Sequence, residues 1–216
     1  MPKSKTYVTS IVSPSLGEST PRDATAKAGI LCIVAAAMLV LGCAITQLQT
    51  ATTNVPDDAW RYPWSSTGFI ITTLLWATLQ SAVIPAALAF HRSGVAGPGG
   101  SARWGGRLVV TGIVIGVIAH LSSLPFVDQT FDDPVVVVIA AMFGVGAFLS
   151  TVGFILAGIG TLHAGRWSGW ARWVPLGIGL FGVALLFLQF TPLLPAAVGL
   201  YYAGFIALGL ALARQR

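Results

Sequence analysis

Six stretches of the chain contain no Asp, Glu, Lys or Arg: residues 28–48, 68–90, 108–126, 135–162, 174–190 and 196–213. A helix rises 1.5 Å per residue, so about 20 apolar residues cross a hydrocarbon core roughly 30 Å thick. A single charge at the centre of such a helix costs roughly 2.5–3.5 kcal/mol on insertion scales. Six charge-free windows of this length therefore predict a polytopic all-α bundle of six transmembrane helices. A transmembrane β-barrel would alternate polar and apolar residues along each strand. The run Val135-Val136-Val137-Val138-Ile139 does not alternate. The first window follows a polar segment and exceeds the apolar core of a signal peptide, so it reads as a retained helix.

Charge sets the expected orientation. Only 9% of the 216 residues are charged, against roughly 25% in an average soluble domain, which excludes a soluble globular enzyme and a disordered chain. Of the twelve Lys and Arg residues, all but Arg61 fall on the side of the termini. Positive residues are retained in the cytoplasm, so both termini are expected there. Asp57, Asp58, Asp128, Asp132 and Asp133 fall on the opposite side. The net charge of +5 thus reports topology and gives no basic face for nucleic acid.

Residues 1–24, rich in Ser, Thr and Pro, read as a disordered cytoplasmic tail, and residues 25–216 as the membrane domain. The first outer loop carries Trp60, Arg61, Tyr62 and Trp64. Its aromatics suit headgroup anchoring; a gate over the outer face is the sharper alternative. Asp133-Pro134 has the form of a helix cap followed by a first-turn proline. The two inner loops share His at positions 91 and 163 and Ala-Arg-Trp at 102–104 and 171–173. Convergent interface chemistry explains this first, and a parallel repeat of helices two–three and four–five second.

Inside the spans, Gly112, Gly116, His120 and Ser123 recur on one face of the third helix, and Thr72, Trp76 and Gln80 on one face of the second. Counted from an inner end near residue 107, His120 and Gln80 reach similar depth. The pair is expected to touch or share a water, as bundle glue or as a solute site. Gly199, Ala203 and Ala207 at four-residue spacing, like Gly112 and Gly116, form expected helix-packing seams within the bundle or between copies. Pro125 is expected to end or kink its helix.

No zinc, nucleophile-elbow or phosphate-loop motif is present, and no span carries a carboxylate. His91 and His163 at the boundary read as interfacial residues before haem ligands. No catalytic residue, metal or cofactor is expected. The segments Val55-Pro56-Asp57-Asp58-Ala59-Trp60-Arg61-Tyr62-Pro63-Trp64 and Arg166-Trp167-Ser168-Gly169-Trp170-Ala171-Arg172-Trp173 resemble those of small bacterial six-span membrane proteins. That resemblance implies a bacterial plasma membrane and no particular activity. The expected partners are the bilayer and a membrane protein or second copy. The leading function is non-enzymatic, structural or partner-binding. The alternative is a carrier or channel for a small neutral or apolar solute.

Overall fold

The structure, a computed structural model, describes residues 21–189 and 191–214. It is all-helical, as expected: α1 (Pro21–Thr50), α2 (Ser66–Arg92), α3 (Gly100–Ser123), α4 (Pro134–Ala164), α5 (Val174–Leu188) and α6 (Leu194–Ala213). All six spans, α5 with the short turn that precedes it, are long and apolar enough to cross a membrane, and the chain is membrane-embedded. Each helix packs on its neighbours in sequence, and α6 closes the ring against α1. The ends of α1 and α6 that carry the termini define the proximal end of the bundle. The loops 51–65 and 127–133 and the α5–α6 turn define the distal end.

Small residues set the closest approaches. Along the antiparallel α3–α4 seam, Gly105 faces the backbone of Gly153 and Ala157, and Gly112 faces Gly146 and Ser150. A methyl on Gly105 would stand 2.7 Å from Ala157 N, so only glycine admits this contact. On the α1–α6 seam, Gly29 meets Gly209 and Ala213, and Gly199 meets Cys43. Ala203 is exposed and Ala207 half-buried. A four-residue spacing drifts around a 3.6-residue helix, so the stripe leaves the seam that Gly199 starts. The interior is filled by Phe154, Phe205, Tyr201, Tyr202, Leu39 and Leu212, with Phe154 and Phe205 edge-to-face at 5.3 Å.

Three boundaries differ from the apolar windows. The helix of α1 begins at Pro21, so residues 21–24 of the expected tail are helical, while residues 1–20 lie outside the described residues. Pro at the first position and Asp23 in the first turn both favour a helix start. The helix of α3 begins at Gly100, eight residues before its window. Arg103 and Arg107 sit in those added eight residues, about two turns, and a helix is free to continue past the hydrocarbon. The 15-residue α5 is preceded by a 3₁₀ turn over Ala171–Trp173. At the other caps the sequence logic holds. The Asp133 side chain accepts from Val135 N at 2.8 Å and Val136 N at 3.3 Å. α3 stops at Ser123, and the chain tightens into a 3₁₀ turn around Pro125.

The two proximal loops place their shared residues differently. Ala102-Arg103-Trp104 lies inside α3, whereas Ala171-Arg172-Trp173 forms the 3₁₀ turn before α5. His91 packs over Gly106, and His163 Nδ1 lies 3.0 Å from the carbonyl of Ile159. The loops also touch each other, with Arg166 donating to the carbonyl of Gly94 at 2.7 Å.

Candidate functional site

The distal loops are folded onto each other. An isolated antiparallel bridge joins Ala59 and Thr130. Trp60 N donates to Gln129 O at 2.9 Å, and Phe131 N donates to Asp58 O at 2.9 Å. At the edge, Arg61 pairs with Asp128 at 3.0 Å, and Ser66 Oγ donates to the same carboxylate oxygen at 2.7 Å. Within residues 51–65, Thr53 Oγ1 donates to Pro63 O at 2.8 Å and Tyr62 OH to Thr50 O at 3.3 Å. Among the described residues, the one cation of the distal loops is therefore spent on a latch between them.

This folding redirects the loop aromatics. Trp60, Tyr62 and Trp64 are half-buried and roof a cavity of about 220 Å³. Its walls are Thr46 of α1, Phe69, Thr72, Thr73 and Trp76 of α2, His120 and Ser123 of α3, and Phe143 of α4. The exposed tryptophans lie at the proximal end, where Trp104, Trp173 and Trp170 carry Arg107, Arg172 and Arg214 over their faces at 5.4–5.9 Å. Headgroup anchoring thus fits the proximal tryptophans. The distal aromatics enclose space instead.

Rings connect the roof to the core. Trp60 meets Phe131 edge-on at 5.2 Å and approaches Phe143 at 6.5 Å. Phe143 meets His120 edge-on at 4.7 Å, His120 lies 5.9 Å from Trp76, and Trp76 lies 6.2 Å from Tyr202. His120 is thereby fixed between two rings at the cavity wall.

The expected His120–Gln80 contact is absent from the hydrogen bonds of the described residues. His120 stands three residues from the end of α3, about 5 Å along the axis. Gln80 packs against Gly116, one turn further into the bundle, and its Oε1 is buried with no partner. Trp76 occupies the level opposite His120. Counting from residue 107 set His120 level with Gln80; from the start of α3 at Gly100 it is 20 residues along, against 12 for Gln80 from the end of α2 at Arg92. Gly112 and Gly116 diverge as well: Gly112 abuts α4, and the Gly116 Cα faces Gln80 of α2. The site thus gathers His120, Thr72, Ser123, Trp60, Tyr62 and Trp64 around one cavity, and leaves Gln80 beneath it and Arg61 outside it. Phe143, Phe69 and Thr73 were not singled out from the sequence. Each is an unremarkable apolar-span residue, and only the fold brings them to one place.

The polar groups of the wall carry unused bonding capacity. Thr46 and Ser123 donate to the carbonyls four residues earlier, as intrahelical hydroxyls commonly do. Among the described residues, the hydroxyls of Thr72 and Thr73 and the ring nitrogens of His120 have no hydrogen-bond partner. No Asp, Glu, Lys or Arg lines the cavity. Below Gln80 the interior is closed by Val83, Ala87, Val109 and Ile113, all buried. Among the described residues no three His, Cys, Asp or Glu side chains converge on a point where a metal ion could sit. No family model, curated protein or solved structure matches the chain.

Proposed function

We propose that this protein is a non-enzymatic plasma-membrane protein that binds a small neutral or apolar solute at its distal end, with that end outside the cell and both termini in the cytoplasm. The cavity roofed by residues 51–65 and walled by His120 carries the reading. The space is an open cleft at the distal end of the bundle, about 220 Å³, and not a void sealed in the packed core. Ligand sites are concave and mostly apolar with a few placed polar groups, and this cavity has that composition. The orientation rests on the placement of eleven of the twelve cationic residues at the proximal end or in the segments continuous with it. Carriage across the membrane is the second reading, favoured by the unpartnered Gln80 Oε1 just beneath the cavity floor.

Extraction of the full chain from native membranes, followed by mass spectrometry of small molecules that travel with it, tests the proposal. A defined small molecule should co-purify with the wild type and be lost from Phe143→Trp, which fills the cavity, while the fold is retained. Recovery of bulk lipid alone from both proteins would refute it. Uptake into proteoliposomes separates carriage from binding.

A further inference from the structure

We infer that the distal cavity takes an uncharged, flat, ring-bearing molecule with hydrogen-bond acceptor oxygens, of the quinone type. Three observations on the cavity wall select this class, and the inference rests on the solute-binding reading above.

The first is electrostatic. Burying a charge is costly unless it is paired. The cavity offers no ionic partner, and Arg61 and Asp128 at its rim neutralise each other. The second is shape and surface. Trp60, Trp64, Trp76, Phe69 and Phe143 bound the cavity, and aromatic walls favour a flat ring in stacked or edge-on contact. The third is hydrogen bonding. Elsewhere in the bundle Thr78, Ser81, Ser150 and Thr161 spend their hydroxyl protons on the carbonyl four residues back, at 2.7–2.8 Å. Among the described residues Thr72 and Thr73 do not, nor does Thr151 of α4 away from the cavity, and the ring nitrogens of His120 make no hydrogen bond. Thr73 is 6% exposed as a residue, yet its hydroxyl is open to the cavity, where a bound molecule can reach it.

An aromatic cage is also the recognised geometry for a quaternary ammonium ion. Such a cation has no acceptor atom. It would leave the protons of Thr72, Thr73 and His120 unpaired, a cost a ligand with acceptor oxygens avoids. Indole nitrogens are donors only, so Trp64 and Trp76 add to the same bias. A carbonyl oxygen directed at the Thr72–Thr73–His120 side, with its ring between the tryptophans, can accept from two of these donors.

The test uses the full chain in phosphatidylethanolamine–phosphatidylglycerol nanodiscs, with equilibrium dialysis against three probes: menadione, methylnaphthalene and tetraethylammonium. Empty nanodiscs correct for partitioning. Menadione should bind saturably and roughly tenfold more tightly than methylnaphthalene, the value of one or two hydrogen bonds. The double variant T72V/T73V keeps the branched shape and should lose that preference while retaining methylnaphthalene binding and cooperative unfolding. Equal affinity for menadione and methylnaphthalene would overturn this inference and leave the solute-binding proposal standing. Preference for tetraethylammonium would overturn both, replacing a neutral solute by a cation. Failure of all three to bind would overturn the inference, and the co-purification experiment then decides the broader proposal separately.

Discussion

Gly112 and Gly144 are both helical glycines in membrane-spanning segments, yet a methyl group added to each meets different surroundings. On Gly112 it would collide with the carbonyl of Gly146 and stand 2.6 Å from Ser150 N. These are backbone atoms of α4, which move only if the whole helix moves. On Gly144 it would meet nothing within 4 Å. Gly112→Ala should therefore destabilise the bundle by roughly 1–3 kcal/mol, the cost of overpacking a close contact. Gly144→Ala should be neutral or stabilising by up to about 1 kcal/mol, since alanine loses less backbone freedom in a helix. Unfolding in a graded sodium dodecyl sulfate titration reads both. Equal midpoints would show that α3 and α4 do not approach as closely as described. The small-residue spacing in the sequence identified Gly112 as a packing position. It did not separate Gly112, against α4, from Gly116, against Gln80, because two residues four apart can serve two neighbours at once.

The elements of the bundle were legible because the bilayer imposes one length on every span. Six charge-free windows became six helices, and Asp133-Pro134 capped α4 as its side-chain chemistry dictates. What hydropathy measures is the hydrocarbon thickness, however, and α3 outruns it by eight residues at Gly100–Arg107. That overrun took His120 out of the expected register with Gln80 and left Trp76 as its neighbour. The roof was illegible for another reason: its closure depends on backbone pairing between residues 58–60 and 129–131, which side-chain pattern does not encode. The latch over this pairing is testable at the same scale. Arg61 and Asp128 are 27% and 69% exposed, so the pair is largely solvent-screened and adds at most about 1 kcal/mol. Asp128→Asn weakens the contacts with both Arg61 and Ser66. Amide exchange at Trp60 and Phe131, which are bonded across the two loops, should quicken up to about fivefold. Exchange in the α4 core should not change, and global stability should stay within about 1 kcal/mol. Unaltered exchange at Trp60 would show that the aromatic contacts alone hold the roof shut.

At the scale of the whole molecule, charge and cavity are two independent asymmetries along one axis. The proximal end holds the exposed Arg–Trp pairs, and the distal end holds the acidic loops and the void. If the positive-inside bias governs insertion, the void opens toward the exterior, and the solute comes from the medium or the outer leaflet. Cysteine labelling links these statements in one experiment. The native Cys32 and Cys43 are buried and stay silent to a membrane-impermeant maleimide. Asp57→Cys on the exposed distal loop should react in intact cells, and Ser101→Cys at the exposed start of α3 only after permeabilisation. Thr72→Cys, inside the cavity wall, should react from the same side as Asp57→Cys, more slowly, because Trp60, Tyr62 and Trp64 cover it. The reverse pattern, with Ser101→Cys reacting first, would place the void toward the cytoplasm and make the solute an intracellular one. Reaction of Thr72→Cys only from the Ser101 side would mean that the layer of Val83, Ala87, Val109 and Ile113 opens, and that the protein passes its solute through rather than holding it.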